Sequence, residues 1–174
     1  NIFGLANYMQ PDTNLHHKVI GGTSDLDDVR EIMLQVVSDR EEFLETRGNS
    51  LRMIFEEIAS NAIYHAHGYD KLHDVTLKES ERVDVYYGVD ADKFGFSVVD
   101  RSGQLTKEIV LKKILRAMSK DGVFDFSGRG LFLTRNFSDR VIVNIDPEVS
   151  TEIIVLNFFH DNFKVNKPLY INQL

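Results

Sequence analysis

The chain has 174 residues, of which 43% are hydrophobic and 27% charged, a balance typical of one globular domain with its own core. Acidic residues outnumber basic residues by 27 to 20, and the net charge of −7 argues against a protein that binds nucleic acid through a basic face. The sequence has no cysteine, which excludes disulfides and thiolate chemistry. No apolar run approaches the roughly 20 residues of a membrane helix, so we expect a cytoplasmic protein without a membrane partner.

The first part of the chain is predicted to hold a lead-in, an edge strand and a helix. Residues 1–15 form the lead-in, and the following segment HHKVIGG is a strand that two glycines end. Apolar residues at helical spacing then predict a helix, with Ser24 as its N-cap and Asp27 in the capping-box position. We expect this helix to end at Gly48.

A second helix is predicted from Asn49 or Ser50 through Ala66 to Gly68. Its apolar residues share one face, which we expect to be buried: Leu51, Phe55, Ile58, Ala59 and Ala62.

The flank beside that apolar face carries a carboxylate and a carboxamide. At about 100° per residue, Glu57 and Asn61 lie together on this flank, whereas Glu56 points into solvent. One interpretation is a solvated i, i+4 pair that contributes roughly a few tenths of a kcal/mol. The other is a site at which the two oxygen-bearing side chains hold a cation and orient a nucleophile, for which magnesium is the suited ion.

Beyond a polar stretch, apolar residues alternate with a period of two. The alternation predicts a hairpin of two strands around the turn DADK, and a last hairpin of RVIVNI and TEIIVLNFF. Between the hairpins we expect a helix over 106–118, the loop SKDGVFDFSGRG and a short helix, LFLTRNF, whereas the tail, 160–174, has no clear pattern. Tight turns favour an antiparallel or mixed sheet with helices on one face, an α/β (α+β) sandwich of two layers.

Two further segments carry polar residues or glycines beside predicted elements. Asp100 ends a strand, and Gly103 follows in the turn, so Asp100 is either a turn former or a buried acceptor for an exocyclic amine. Gly128 and Gly130 bracket Arg129 directly before a helix, where glycines let backbone N–H groups approach an anion.

These segments together resemble the nucleotide-binding boxes of the GHKL ATPases, a superfamily with the Bergerat fold. The boxes occur in the family's order: EIASNA from Glu57, Asp100 with Gly103, GRGL from Gly128, and Thr151 at the start of the last strand. The segment SGRGLFLTRNFSDRV and the compact length are most similar to the anti-sigma-factor serine kinase branch. The resemblance covers residues 16–159, which we expect to form a histidine-kinase-like ATPase domain.

The resemblance implies a role for each matched residue. Asn61 would coordinate the magnesium ion that bridges the ATP phosphates. Glu57 matches the general base, here acting toward a serine hydroxyl of a protein. Asp100 would accept a hydrogen bond from the adenine amino group, with Thr151 in support.

The resemblance also implies a mobile lid over ATP, residues 104–127. Gly128 and Gly130 would let the loop close over the phosphates, and Arg129 and Leu131 belong to the same box. The lid contains three lysines: Lys112, Lys113 and Lys120. For the first two, a solvated helix face is the alternative to phosphate contacts.

The box after Asp100 departs from the family pattern. The usual D-x-G-x-G reads DRSGQL here, so Ser102 holds the first glycine position and Gly103 falls between the two. Serine has fewer backbone conformations than glycine, so we expect a reshaped turn on the adenine side. The same form resembles ATPase-like output domains of bacterial response regulators. Because the chain begins with Asn1, an upstream receiver domain is a further expectation.

The sequence therefore predicts an ATP-binding protein serine kinase of bacterial signalling that binds and phosphorylates a protein antagonist. A sigma factor and a second copy of the chain are further partners that this prediction leaves open. The alternative is an interaction module that keeps the fold but turns over little or no nucleotide. Histidine-kinase activity is a weaker alternative, because no helix carrying a phosphoacceptor histidine is recognisable.

Overall fold

A computed structural model describes residues 2–118, 129–160 and 167–174. Its elements, in chain order, are β1 (Leu15–Ile20), α1 (Leu26–Gln35), α2 (Glu41–His67), β2 (Val83–Val89), β3 (Lys93–Asp100), α3 (Lys107–Met118), α4 (Arg129–Phe137), β4 (Arg140–Asp146), β5 (Ser150–Phe158) and β6 (Leu169–Gln173). Single turns of 3-10 helix occur at Leu5–Tyr8, Thr23–Asp25 and Glu79–Glu81.

The strands form one six-stranded sheet in the order β1-β2-β3-β5-β4-β6. Neighbouring strands are antiparallel except β4 and β6, which are parallel. The two predicted hairpins are present as β2–β3 and β4–β5, and the predicted edge strand is β1. The fold class is thus confirmed: a mixed, mostly antiparallel sheet with α-helices on one face.

The main core lies between the sheet and the helices α1 and α2. Period-two alternation places Phe94 and Phe96 of β3 on the helix side, where both are fully buried. The ring of Phe55 on α2 meets the ring of Phe96 edge-on, with centroids 6.0 Å apart. Burying a side chain of this size is worth roughly 1.5–3 kcal/mol, so these contacts fix α2 across the sheet.

The predicted helix boundary at Gly48 is wrong. The first helix ends at Gln35, and α2 begins at Glu41 and runs through Gly48 without a break. Gly48 is buried on a crowded helix face, since a Cβ there would lie 3.2 Å from the guanidinium of Arg52. A glycine ends a helix where the chain leaves the helical path. Gly48 instead is packed within α2, and the helix continues through it. The predicted end at Gly68 is correct, with φ of 72° in the left-handed region.

The predicted capping box of the first helix is also absent. Ser24 lies in a 3-10 turn, and the N-cap of α1 is Asp25, which makes no side-chain cap hydrogen bond. The Asp25 carboxylate instead accepts a hydrogen bond from the backbone N–H of Gly21 (2.7 Å). Asp27 forms an ion pair with Arg30 at 2.9 Å. Asp25 therefore stabilises the turn that precedes α1 and does not cap the helix.

Both terminal segments contribute to the sheet layer. In the tail, for which no element was predicted, β6 pairs with β4, and its Leu169 and Ile171 pack beside α3. In the lead-in, Leu5 and Met9 cover the face of the sheet opposite the helices. Each segment is too short to show a periodicity in the sequence alone, and its place depends on contacts with distant strands.

Candidate functional site

A cavity of about 290 Å³ lies among α2, α3, the start of α4 and the adjoining ends of β3 and β5. Five predicted site residues line it: Asn61, Asp100, Gly130, Leu131 and Thr151. Ile58 and Ala62 of α2 and Ile153 of β5 give it apolar walls. An apolar slot with a few convergent polar groups is the usual form of a small-molecule site.

Asp100 is the last residue of β3 and lines the side of the cavity that the sheet forms, here called its inner end. Ser102 donates two hydrogen bonds to Oδ1 of Asp100, from its backbone N–H (2.9 Å) and from its side-chain hydroxyl (2.6 Å). Burial raises the pKa of the Asp100 carboxyl, and the hydrogen bonds from Ser102 oppose that shift. The site therefore offers a desolvated acceptor to a ligand.

Thr151 lies directly opposite Asp100 in the β3–β5 ladder, so the two side chains share one face of the sheet. Its side chain is 2% exposed, and Oγ1 has no hydrogen-bond partner among the described residues. A buried hydroxyl without a partner lowers the stability of the fold. A ligand group that bonds to this hydroxyl would recover that free energy, as the sequence predicts for an adenine site.

Gly103 serves the turn and does not line the cavity. Its φ is 56°, and a Cβ there would lie 2.1 Å from the backbone nitrogen of Val149. The N–H of Glu148 donates to the Gly103 carbonyl (3.0 Å). Only glycine fits this contact with the β4–β5 turn, so the glycine displaced from the usual pattern has a structural reason to stand at this position.

The structure brings Glu57 and Asn61 together beside the first turn of α4. A Cβ at Gly130 would lie 2.8 Å from Oε2 of Glu57 and 3.2 Å from Nδ2 of Asn61, so α4 closely approaches the ends of both side chains at this glycine. Glu56 lies away from this pair, where its carboxylate bonds to Arg30 of α1 (3.3 Å). The wheel thus separated the two acids correctly, although Glu56 has an ion-pair partner and does not merely face solvent.

Two lysines and a histidine lie at the Asn61 side of the cavity. Lys71 donates to Oδ1 of Asn61 at 3.3 Å, and His65 and Lys113 line the cavity. Burial lowers the pKa of His65, and the positive charges of Lys71 and Lys113 lower it further. Lys112 is exposed, in keeping with a solvated helix face.

Sequence reasoning missed His65 and Lys71 as neighbours of the site. His65 follows Asn61 by four residues, and this spacing on a helix was the signal that could have found it. Lys71 lies beyond the helix in a polar stretch without periodicity.

Only part of the predicted lid and phosphate box lies within the described residues. Gly128, Lys120 and the segment 119–127 lie outside the described residues, and Arg129 enters only as the first residue of α4. Within the described part of the lid, α3 packs through Val110 and Ile114 against β4. Leu131, the third residue of α4, lines the cavity and packs on the same cluster.

The family model described as "Histidine kinase-like ATPase domain" matches residues 23–156, which include every predicted box. The chain belongs to the histidine kinase-like ATPase family. No curated protein sequence matches it. Membership confirms the GHKL superfamily and indicates an ATP-binding domain. None of the helices in the described part of the chain is long and apolar enough to cross a membrane.

The residues present fit the ATP and magnesium that a histidine kinase-like ATPase domain implies. Asp100 and the Thr151 hydroxyl, which has no partner among the described residues, suit a base edge, and the first turn of α4 lies beside Asn61 at Gly130. Asn61 offers one oxygen ligand. Magnesium typically keeps several waters and takes further ligands from substrate phosphates, so one amide oxygen is a sufficient protein contribution.

Proposed function

We propose that this domain binds magnesium–ATP in the cavity and transfers the terminal phosphoryl group to a serine of a protein antagonist. It would thereby act as an anti-sigma-factor-like regulator in bacterial signalling. The observation that carries this proposal is the meeting of Glu57 and Asn61 at the first turn of α4, on the rim of a cavity that contains Asp100 and Thr151. A base-binding end and a phosphate-binding end would thus belong to one site.

The two ends of the proposed site differ in charge, and each would bind a different part of ATP. At the inner end, Asp100 accepts from the adenine amino group, and the hydroxyl of Thr151 bonds beside it. At the outer end, Asn61 would hold magnesium, while Lys71 and the N-terminus of α4 would attract the phosphates. The bound magnesium–ATP supplies the phosphoryl group and part of the charge neutralisation.

Glu57 is proposed as the general base. Its carboxylate lies next to Asn61 and Gly130, so it faces the end of the site assigned to the terminal phosphate. There it accepts the proton of the attacking serine hydroxyl. General-base assistance of this kind contributes typically about 10²–10⁴-fold in rate.

The test measures magnesium-dependent ATP binding by calorimetry and transfer of labelled phosphate to candidate antagonist proteins. Glu57→Ala should keep ATP affinity and lose transfer by about 10²–10⁴-fold, because a base acts only in the transition state. Asn61→Ala should lose the magnesium dependence of binding. Glu56→Ala is the matched control, on the same turn but bonded to Arg30, and should change neither quantity. Equal damage from Glu56→Ala and Glu57→Ala would refute the assignment.

The serine at position 102 favours a second candidate, an interaction module with little or no turnover. This candidate would bind a protein partner, such as a sigma factor, or respond to an upstream receiver domain. Neither role would require nucleotide turnover. Tight partner binding by the wild type without ATP-dependent transfer to any candidate would support it and reject the kinase.

A further inference from the structure

The loop that follows α2 folds back along the helix. The N–H of Tyr69 donates to the carbonyl of Tyr64 (2.9 Å), which turns the chain at the end of α2. The hydroxyl of Tyr64 donates to the carbonyl of His73 (3.1 Å) and holds the loop beside the helix. This return places Lys71 next to Asn61, which lies ten residues earlier in the chain.

Lys71 identifies which end of the Asn61 amide faces the loop. Its Nζ lies 3.3 Å from Oδ1 of Asn61. An ammonium group only donates hydrogen bonds, so the amide atom that faces it is the oxygen and not the nitrogen. The Nδ2 atom faces α4, since a Cβ at Gly130 would lie 3.2 Å from it. The side-chain oxygen of Asn61, the atom able to bind a metal ion, therefore lies on the side of Lys71.

This oxygen is the atom that the proposed function assigns to magnesium. A metal ion bonded to it would lie beside the ammonium of Lys71, and two positive charges so placed repel each other. Lys71 is exposed and carries its ammonium on a flexible four-carbon stem, so the ammonium can move away. The hydrogen bond and the metal ion are therefore alternatives at one oxygen.

We propose that Lys71 competes with magnesium for Oδ1 of Asn61, so that the metal enters only as the ammonium leaves. Lys71 thereby sets how strongly ATP binding depends on the metal. The inference rests on the proposed binding of magnesium–ATP and adds to it a control on metal entry. Lys71 acts on the metal through Asn61 and is a positioning residue.

The loop does not depend on the Lys71 hydrogen bond for its shape. The bond from Tyr64 to His73 holds its far end, and the N–H of Leu72 donates to the carboxylate of Asp70 (3.0 Å) within it. Lys71 adds one exposed hydrogen bond to these. Its replacement should therefore leave the loop in place and change only the competition at Asn61.

The experiment measures the dissociation constant of ATP for the whole chain by calorimetry, once in EDTA and once in excess magnesium chloride. The ratio of the first constant to the second reports the metal dependence, and attraction of the phosphates by Lys71 acts in both conditions and largely cancels. In Lys71→Met the ratio should rise by about three- to tenfold, the equivalent of one hydrogen bond, because the metal no longer displaces a cation. Lys71→Arg keeps a cationic donor and should keep the wild-type ratio.

Lys78→Met is the matched control. Lys78 is exposed in the same stretch after α2, where its ammonium pairs with Glu81 (3.5 Å), and it does not line the cavity. Its substitution removes the same charge and should leave the ratio unchanged. Asn61→Ala removes the shared oxygen, so adding Lys71→Met to that variant should change the ratio no further.

Three outcomes would overturn the inference. In the first, the ratio is unchanged or falls in Lys71→Met while the wild type shows magnesium-dependent ATP binding, so the proposed function stands without it. In the second, Lys78→Met, or Lys71→Met in the Asn61→Ala background, raises the ratio as much as Lys71→Met alone, which is an effect of charge that does not pass through Asn61. In the third, the wild type binds no ATP, or binds it equally with and without magnesium, and the proposed function fails with the inference.

Discussion

Thr151 and Glu152 are neighbours on β5, yet they face opposite sides of the sheet and have opposite hydrogen-bond status. Both are almost fully buried, at 2% and 1% exposure. The hydroxyl of Thr151 has no partner in the described part of the chain. The Oε2 atom of Glu152 accepts from the backbone N–H of Gly4 (2.8 Å) and from Nδ2 of Asn144 (3.1 Å).

The side chain of Asn144 extends this second region into a network. Its Nδ2 also donates to the carbonyl of Ile2 (2.8 Å), and its Oδ1 accepts from Nδ2 of Asn172 (2.9 Å). Buried polar groups that have hydrogen-bond partners within the chain specify and stabilise a fold. A buried polar group that faces a cavity without such a partner is available to bond to a ligand. We therefore expect the back of β5 to serve stability, and its front, which lines the cavity, to serve the proposed ligand binding.

The largest expected effect is on the back of the sheet. Glu152→Ala leaves the N–H of Gly4 and one donor of Asn144 without their buried acceptor, so the free energy of unfolding should fall by about 3 kcal/mol. Urea denaturation measures this change. Glu152→Gln keeps an acceptor oxygen and should lose less. Unchanged stability together with weaker ATP binding would reverse the assignment of the two faces.

Asp100→Asn should weaken ATP binding by about 1–3 kcal/mol, because the amide presents a donor where the amino group of adenine needs an acceptor. No nucleotide with another base should bind more tightly to the variant. The amide oxygen can still accept from Ser102, so the turn is kept. Calorimetry measures the affinity, and an unchanged value would remove Asp100 from the site.

The same substitution should raise stability at neutral pH. Burial raises the folded-state pKa of the Asp100 carboxyl, so its contribution is present below the pKa of the unfolded chain and is lost as pH rises through the folded-state value. The amide of the Asp100→Asn variant does not titrate, so the gain over the wild type should vanish in acid. Denaturation of both proteins at neutral and at acid pH measures the stability gain of the variant. A larger gain in acid than at neutral pH would contradict the prediction.

The smallest effect is expected for Thr151→Val. Valine keeps the shape and removes an unpartnered hydroxyl, so stability should stay the same or rise by less than about 1 kcal/mol. ATP binding should weaken by roughly 1 kcal/mol, the value of one neutral hydrogen bond. Ser138→Ala, which removes another unpartnered buried hydroxyl away from the cavity, is the control and should leave ATP binding unchanged. A clear loss of stability in Thr151→Val would mean that its hydroxyl has a structural role.

Local periodicity predicted much of this fold and part of the site. The strands β2 to β5 follow from alternation, and the helical wheel placed Glu57 beside Asn61 because both properties depend on neighbours in sequence. The break at Gly48 was predicted wrongly because a glycine inside a helix and a glycine at its end look alike until the packing is known. Lys71 and β6 were missed because their positions depend on long-range contacts. The reason for Gly103 became visible only with the β4–β5 turn beside it.

The network around Asn144 also couples the first and last described segments of the chain. Ile2 and Asn172 lie 170 positions apart in the sequence, and both are bonded to this one side chain on the face of the sheet opposite the cavity. Detaching either segment would leave a buried polar group of Asn144 without its partner, at a cost of about 1–3 kcal/mol. Each segment therefore stabilises the other through β4, on the side of the sheet away from the candidate site.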